Sequence, residues 1–375
     1  MMHGPDSSKS RATRVNFRNM TKRIASLCAV VTWLGAYAMT SMQAQAPAAA
    51  PAPAQGPAGA VEQVTVHGKS LEGNLNGDPA DRNVIVYLPP SYKTETTRRY
   101  PVVYLLHGYG LQASGWMRLF RIENGANRAM TGTGTGERSR EMIIVNPDAF
   151  SLFDGSFYSK SVTAGDWETF IADELVAYVD SHYRTLAKRE SRGLGGHSMG
   201  GYGTIRIAMK RPDVFGAMYA LSACCAMDKG EPGEQMTTAG TYTTREQVAS
   251  LKYPNKGTLA RAAAWSPNPK SAPLYLDLPV KDGVARPDIQ AKWLENSLIP
   301  MMEKSGSNLK RYAAVKFDVG TMDTLLEPNR QIDAAMTKAG ITHTFETYEG
   351  DHNGRIAERL EMKVFPFFST NLAFK

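Results

Sequence analysis

Gly196-His197-Ser198-Met199-Gly200 lies between a strand-like stretch, Ser191 to Leu194, and a helix-like run, Tyr202 to Met209. The pattern is G-x-S-x-G. A strand before it and a helix after it give it meaning, because a turn that tight throws its serine out at the carboxyl end of a sheet. Side chains two positions either side of the serine would collide with the backbone, so glycine is needed at both. The next amide, on Met199, opens a helix and points at an oxygen that becomes negative on a substrate. Ser198 is therefore the candidate nucleophile and Met199 the first candidate oxyanion donor.

The flanking sequence supplies the rest of a sheet. Pro101 to Leu106 and Met142 to Val145 are continuous apolar runs, as expected of strands covered on both faces. Val64 to Val66 and Val84 to Leu88 read as edge strands, the second stopped by Pro89-Pro90. Phe215 to Leu221, Ala313 to Val319 and Thr342 to Tyr348 complete the set. Trp167, Ile171, Leu175, Tyr178, Val179 and His182 fall on one face of a helix with Asp166 as N-cap. Further helices are expected from about Asn329 to Lys338 and from Ile356 onward. This alternation predicts an α/β fold, a mostly parallel central sheet with helices on both faces. From about Asp228 to Asn308 the alternation stops. That segment is rich in Pro, Gly, Thr and Lys, with a helix near Ile289 to Lys304. It is too long for a plain loop and is expected to be a lid inserted before the acid-bearing strand, without a core of its own.

The net charge of +7 over 375 residues is not a nucleic-acid signal. Six basic residues (Lys9, Arg11, Arg14, Arg18, Lys22, Arg23) against Asp6 hold five of those charges before residue 45, leaving two for the rest. Lys22-Arg23 precede an apolar run from Ile24 to about Met39, then small residues at Ala44-Gln45-Ala46. That is the layout of a secretory signal peptide, expected to span 1–44 because Pro47 disfavours cleavage just before it. Met20 offers a start with an n-region of ordinary length. No twin-arginine pair precedes the run, so the general secretion route is expected. The run is shorter than the roughly 20 apolar residues of a membrane span, so no stable membrane insertion is expected after cleavage. The mature protein is expected to be secreted or periplasmic. Residues 45–60 are almost all Ala, Pro, Gly and Gln and read as a disordered spacer, with the folded domain over 61–375. Cys28 lies in the apolar run. Cys224 and Cys225 are adjacent, which rules out a disulfide framework and reads as two small apolar residues at a strand end, a strained ring between the neighbours in an oxidising compartment being the alternative.

A serine hydroxyl needs a base within reach and a carboxylate to orient that base. Tyr348-Glu349-Gly350-Asp351-His352-Asn353-Gly354 places His352 in a glycine-flanked loop after the last strand, where the base belongs. His197, His107, His182, His67 and His343 are less well placed, on the turn beside the serine, the opposite turn, a helix face, and early or edge strands. Phe317-Asp318-Val319-Gly320-Thr321-Met322-Asp323 offers two acids. Asp323, past the Gly320 turn, can reach a histidine and is preferred. Asp318, within the strand, is the alternative. His107-Gly108-Tyr109-Gly110 closes the opposite side, with the Tyr109 amide as second oxyanion donor, a contact whose loss typically costs about 10²–10³ in rate. Tyr109, Trp116, Phe157, Tyr158 and Trp265 are candidate aromatic contacts to substrate.

Leu105-Leu106-His107-Gly108, the Gly-His-Ser-Met-Gly-Gly run, Asp-x-Gly-Thr-x-Asp at 318–323 and Gly-Asp-His at 350–352 resemble the putative esterase family. That family groups esterase D (S-formylglutathione hydrolase), the feruloyl and acetylxylan esterases of carbohydrate esterase family 1, enterochelin esterases and mycolyltransferases. The resemblance runs from about Val61 to the C-terminus. It implies an α/β-hydrolase fold, no metal or organic cofactor, and an acyl-serine intermediate on Ser198, with Asp323 and His352 at the matching positions. Asp351 departs from it, a glycine being commoner there. The expected activity is a secreted carboxylic-ester hydrolase, acting on a small or polysaccharide-linked ester, feruloyl or acetyl. An acyltransferase would use the same three residues, and a non-catalytic binding protein would use only the scaffold. Secretion argues against the formylglutathione enzyme.

Overall fold

The structure, a computed structural model, describes residues 58–375. The expected signal peptide and nearly all of the expected spacer lie outside the described residues.

Eight strands form one sheet: β1 (Ala60–His67), β2 (Asp81–Leu88), β3 (Val102–Leu106), β4 (Ile143–Pro147), β5 (Arg192–His197), β6 (Ala217–Leu221), β7 (Ala314–Gly320) and β8 (Thr344–Tyr348). Their order is β1-β2-β4-β3-β5-β6-β7-β8. The β1–β2 and β2–β4 pairs are antiparallel and every other pair is parallel. β2 is therefore not an edge strand as its sequence suggested. Its alternating side chains are buried on both faces, Val84 and Val86 in one core and Ile85 and Tyr87 in the other. Two cores sandwiching one sheet explain the continuous apolar strands. With the serine turn after β5, this is the expected α/β-hydrolase fold.

The first long helix runs through Trp167–Thr169, a π-helical turn at Phe170–Glu174, and Leu175–His182. The Asp166 carboxylate accepts the Thr169 N–H at 3.1 Å, as an N-cap should. The wider turn rotates the remainder of the helix off the 3.6-residue period. His182, the last residue of the helix, is exposed and stacked on Tyr178, and not on the buried face expected.

Residues 228–308 hold more helix than expected: Glu234–Ala239, Arg245–Ser250, Asn255–Trp265, Pro287–Glu295 and Leu298–Ser305, with a short hairpin at Val280–Lys281 and Val284–Ala285. The single helix expected near 289–304 is two, parted at Asn296-Ser297. Leu259, Trp265, Ile289, Trp293 and Met301 join the core on one face of the main sheet, so the segment packs into the domain at its base. Among the described residues no helix is long and apolar enough to cross a membrane.

Candidate active site

Ser198 sits between the end of β5 and helix α1 (Met199–Lys210), at φ 58° and ψ −113°. A Cβ on Gly196 would lie 2.5 Å from the Gly200 carbonyl oxygen, and one on Gly200 only 2.0 Å from that of Leu106. Backbone cannot yield that far, so both positions need glycine. The strain at Ser198, of order 1–3 kcal/mol, persists because its neighbours fix it. Its N–H donates to Leu221 O at 2.9 Å, and its carbonyl accepts the Tyr202 and Cys224 amides at 2.9 and 3.3 Å.

His352 and Asp323 come from loops after β8 and β7. These loops are tied together by the Thr321 amide on Tyr348 O (2.8 Å) and the Met322 amide on Gly350 O (2.9 Å). His352 Nε2 is 3.0 Å from Ser198 Oγ, and its Nδ1 is 2.8 Å from Asp323 Oδ2. A carboxylate can only accept, so Nδ1 carries the proton and Nε2 is free to accept from the serine hydroxyl. Asp323 Oδ1 accepts the Leu325 N–H at 2.9 Å. Burial pushes the Asp323 carboxyl up, but the hydrogen bonds from His352 and Leu325 outweigh it and hold it below the ordinary 3.8.

Asp318 is elsewhere. Its buried carboxylate accepts Tyr219 Oη–H at 2.6 Å and Arg359 Nε–H at 2.9 Å, a link between the sheet and the C-terminal helix. Asp351 is exposed and accepts the Asn353 and Gly354 amides at 3.0 and 2.6 Å. It shapes the histidine loop where a glycine would leave that loop to fold without it.

The 107–110 loop passes beside the serine, a Cβ on Gly108 falling 3.5 Å from Ser198 Cβ. Met199 opens α1, where an amide has no carbonyl of its own helix to reach. The Tyr109 and Met199 side chains meet over Gly155, whose added Cβ would lie 2.6 Å from Met199 Sδ and 2.8 Å from Tyr109 Cδ2. Residues 153–158 brace this corner, a role with no motif in the sequence. Phe153 O accepts Tyr109 Oη–H at 2.8 Å, and Asp154 O accepts the Gly110 amide at 3.0 Å. Asp154 also pairs at 2.6 Å with the buried Lys256 of helix α2 (Asn255–Trp265), tying the insertion to the same corner.

The aromatic residues expected to touch substrate do not present surface to it. Trp116 and Tyr158 are 0% exposed, Trp265 3% and Phe157 4%. Tyr158 Oη–H donates to His107 O at 3.1 Å, and Phe157 packs edge-on against Trp265 and Tyr202. Their apolar bulk fills the core under the site. Only Tyr109 keeps part of its ring accessible, 6.1 Å from the 73%-exposed Tyr253.

His197 does more than turn away. Its Nε2–H donates to the His352 carbonyl at 2.8 Å, and its ring stacks on Trp116 at 5.9 Å and 9°. Burial, with the nearby His352, pushes it down to about 3, so the imidazole stays neutral and keeps one donor for that carbonyl. Its signal was hidden because the sequence cannot show what the second histidine's backbone touches. Phenylalanine at 197 would keep the stack and remove the donor. His197→Phe is expected to lower kcat for an ester about 10–100-fold with KM nearly unchanged, by letting His352 drift. Unchanged steady-state kinetics would show that the carbonyl needs no holding.

A family description, "Putative esterase", matches residues 78–356. An endo-1,4-beta-xylanase/feruloyl esterase of Xylanibacter ruminicola is 31% identical over 142 residues, 36% of this chain and 19% of that protein. Esterase Rv1288 of Mycobacterium tuberculosis is 33% identical over 131 residues, 34% of this chain and 26% of that protein. The chain thus matches about a fifth to a quarter of the length of these relatives. A solved ferulic acid esterase superposes with TM-score 0.58 at 24% identity, covering 84% of this chain and 99% of that one. A fluorophosphonate-binding serine hydrolase of Staphylococcus aureus gives 0.56 at 18%, with 84% and 99% covered.

Proposed function

This chain belongs to the putative esterase family, and we propose that it is a secreted serine carboxylic-ester hydrolase working through an acyl-Ser198 intermediate. The observation that carries this is the contact chain from Ser198 Oγ to His352 Nε2 at 3.0 Å and from His352 Nδ1 to Asp323 Oδ2 at 2.8 Å. Ser198 attacks the ester carbonyl while His352 Nε2 takes its proton. Asp323 holds the imidazolium that forms, and the Met199 and Tyr109 amides receive the oxyanion. The tetrahedral intermediate expels the alcohol, which leaves with the proton from His352. Water, deprotonated by His352, then releases the acid and restores Ser198.

Feruloyl or acetyl groups on polysaccharide are the proposed substrates, supported by the names of the xylanase/feruloyl esterase relative and the ferulic acid esterase neighbour. The proposed export rests on the residue pattern before position 45.

Purified protein is expected to take one equivalent of a fluorophosphonate on Ser198 and to hydrolyse acetyl or feruloyl esters in preference to a thioester. Absence of labelling and turnover would leave a binding protein on a hydrolase scaffold. Release of free acid in the presence of added sugar supports hydrolysis, whereas acyl transfer to that sugar would replace it with an acyltransferase.

A further inference from the structure

The turn after β6 carries two adjacent cysteines that the ester chemistry does not use. Its backbone is held on every side. The Ser222 amide donates to Asp318 O at 2.7 Å, Asn329 Nδ2 to Ala223 O at 2.9 Å, and the Cys224 amide to Ser198 O at 3.3 Å. The Leu298 and Ile299 amides donate to the carbonyls of Cys225 and Ala226, each at 3.0 Å. Cys225 itself is at φ 63°, in the left-handed region that a residue with a side chain seldom adopts. On this platform both side chains are half-buried, and their sulfurs stand 2.8 Å apart. That is inside the roughly 3.5–4.0 Å at which even carbon atoms rest.

We propose that Cys224 and Cys225 are a redox-active pair that closes reversibly into a vicinal disulfide beside the nucleophile turn. The oxidant is a small-molecule disulfide such as oxidised glutathione. One cysteine thiolate attacks it, forming a mixed disulfide and releasing one glutathione thiol. The second cysteine attacks the mixed disulfide, closes the ring and releases the other. In sum the two cysteines lose two protons and two electrons, and the donor disulfide becomes two thiols. Burial pushes the Cys225 thiol up, its neighbour Cys224 adding to this. Neighbouring Cα atoms across a trans peptide are about 3.8 Å apart, short of the roughly 4.4–6.8 Å usual for disulfides. A bond between neighbours therefore belongs to the easily reduced, labile class.

The test uses the full chain with Cys28→Ser, so that this pair holds its remaining thiols. After incubation with oxidised glutathione, non-reducing peptide mass mapping should show the Cys224–Cys225 peptide lighter by two hydrogens and free of glutathione. Dithiothreitol should restore both thiols. Cys225→Ser, which cannot close the ring, should keep one glutathione on Cys224. The proposal is overturned if both thiols remain alkylatable under excess oxidant, or if the pair ends as a stable glutathione adduct. The readout is covalent and does not require Ser198 to turn over an ester, so its failure is distinct from failure of the esterase reading.

Discussion

Ser198→Ala should lower kcat for a short p-nitrophenyl ester about 10⁵–10⁶-fold while leaving the fold intact. The argument is chemical. Among the described residues no other hydroxyl meets His352 Nε2; its ring hydrogen bonds go to Ser198 and, through Nδ1, to Asp323. What remains is catalysis by binding and by the two amides alone, about 10³–10⁴ over water. Alanine carries a Cβ as serine does, so the backbone strain at φ 58° stays. Ser198→Gly should be equally inactive yet more stable than Ser198→Ala by about 1 kcal/mol. It relieves strain of order 1–3 kcal/mol but adds unfolded-chain entropy that costs about 0.5–1. Ester turnover and urea melts on the two variants separate chemistry from strain. Turnover surviving both would place the nucleophile elsewhere.

The stretch around Ser198 was legible because steric necessity writes itself into residue type. Gly196 is glycine because of where Gly200 O and Leu106 O lie, Gly200 because of where the Leu106 and His107 carbonyls lie, and nothing else fits. The strands β3, β4 and β6 were legible because burial on both faces leaves no polar alternation. Two readings failed for one shared reason, that a sequence gives residue type and period but not which surface ends up covered. Trp116 looks like a pocket aromatic and is a platform under His197. His182 looks buried by 3.6-residue spacing, and at the last residue of its helix it lies exposed beside Tyr178. The 228–308 segment, read as lacking a core of its own, lends its apolar residues to the main core. The brace at 153–158 left no trace because most of its contacts are made by backbone carbonyls.

The two aspartates five residues apart should separate rate from stability. Asp323→Asn is expected to lower kcat about 10⁴-fold, because an amide no longer enforces the tautomer with the proton on His352 Nδ1. The folded Asp323 carboxyl titrates below 3.8, so it is ionised throughout the range from about pH 5 to about pH 8. Its stabilising pairing with His352 is present above the unfolded value and is lost only as pH falls through the lower folded value. The ionisation of Asp323 should therefore add no pH dependence of its own to the Asn variant's deficit across that range. Asp318→Asn touches neither His352 nor Ser198. It removes the charge facing Arg359 at 2.9 Å, both side chains being almost fully buried. Breaking a buried pair typically costs about 3–5 kcal/mol, and the lower end is expected because Glu346 also pairs with Arg359 at 2.8 Å. Its folded fraction should turn over ester within a few-fold of the parent. Urea melts and kcat measured on one preparation of each variant decide the matter. If Asp318→Asn abolished turnover in a folded protein while Asp323→Asn did not, the orienting acid would be Asp318 and the loop after β7 would have no part in catalysis.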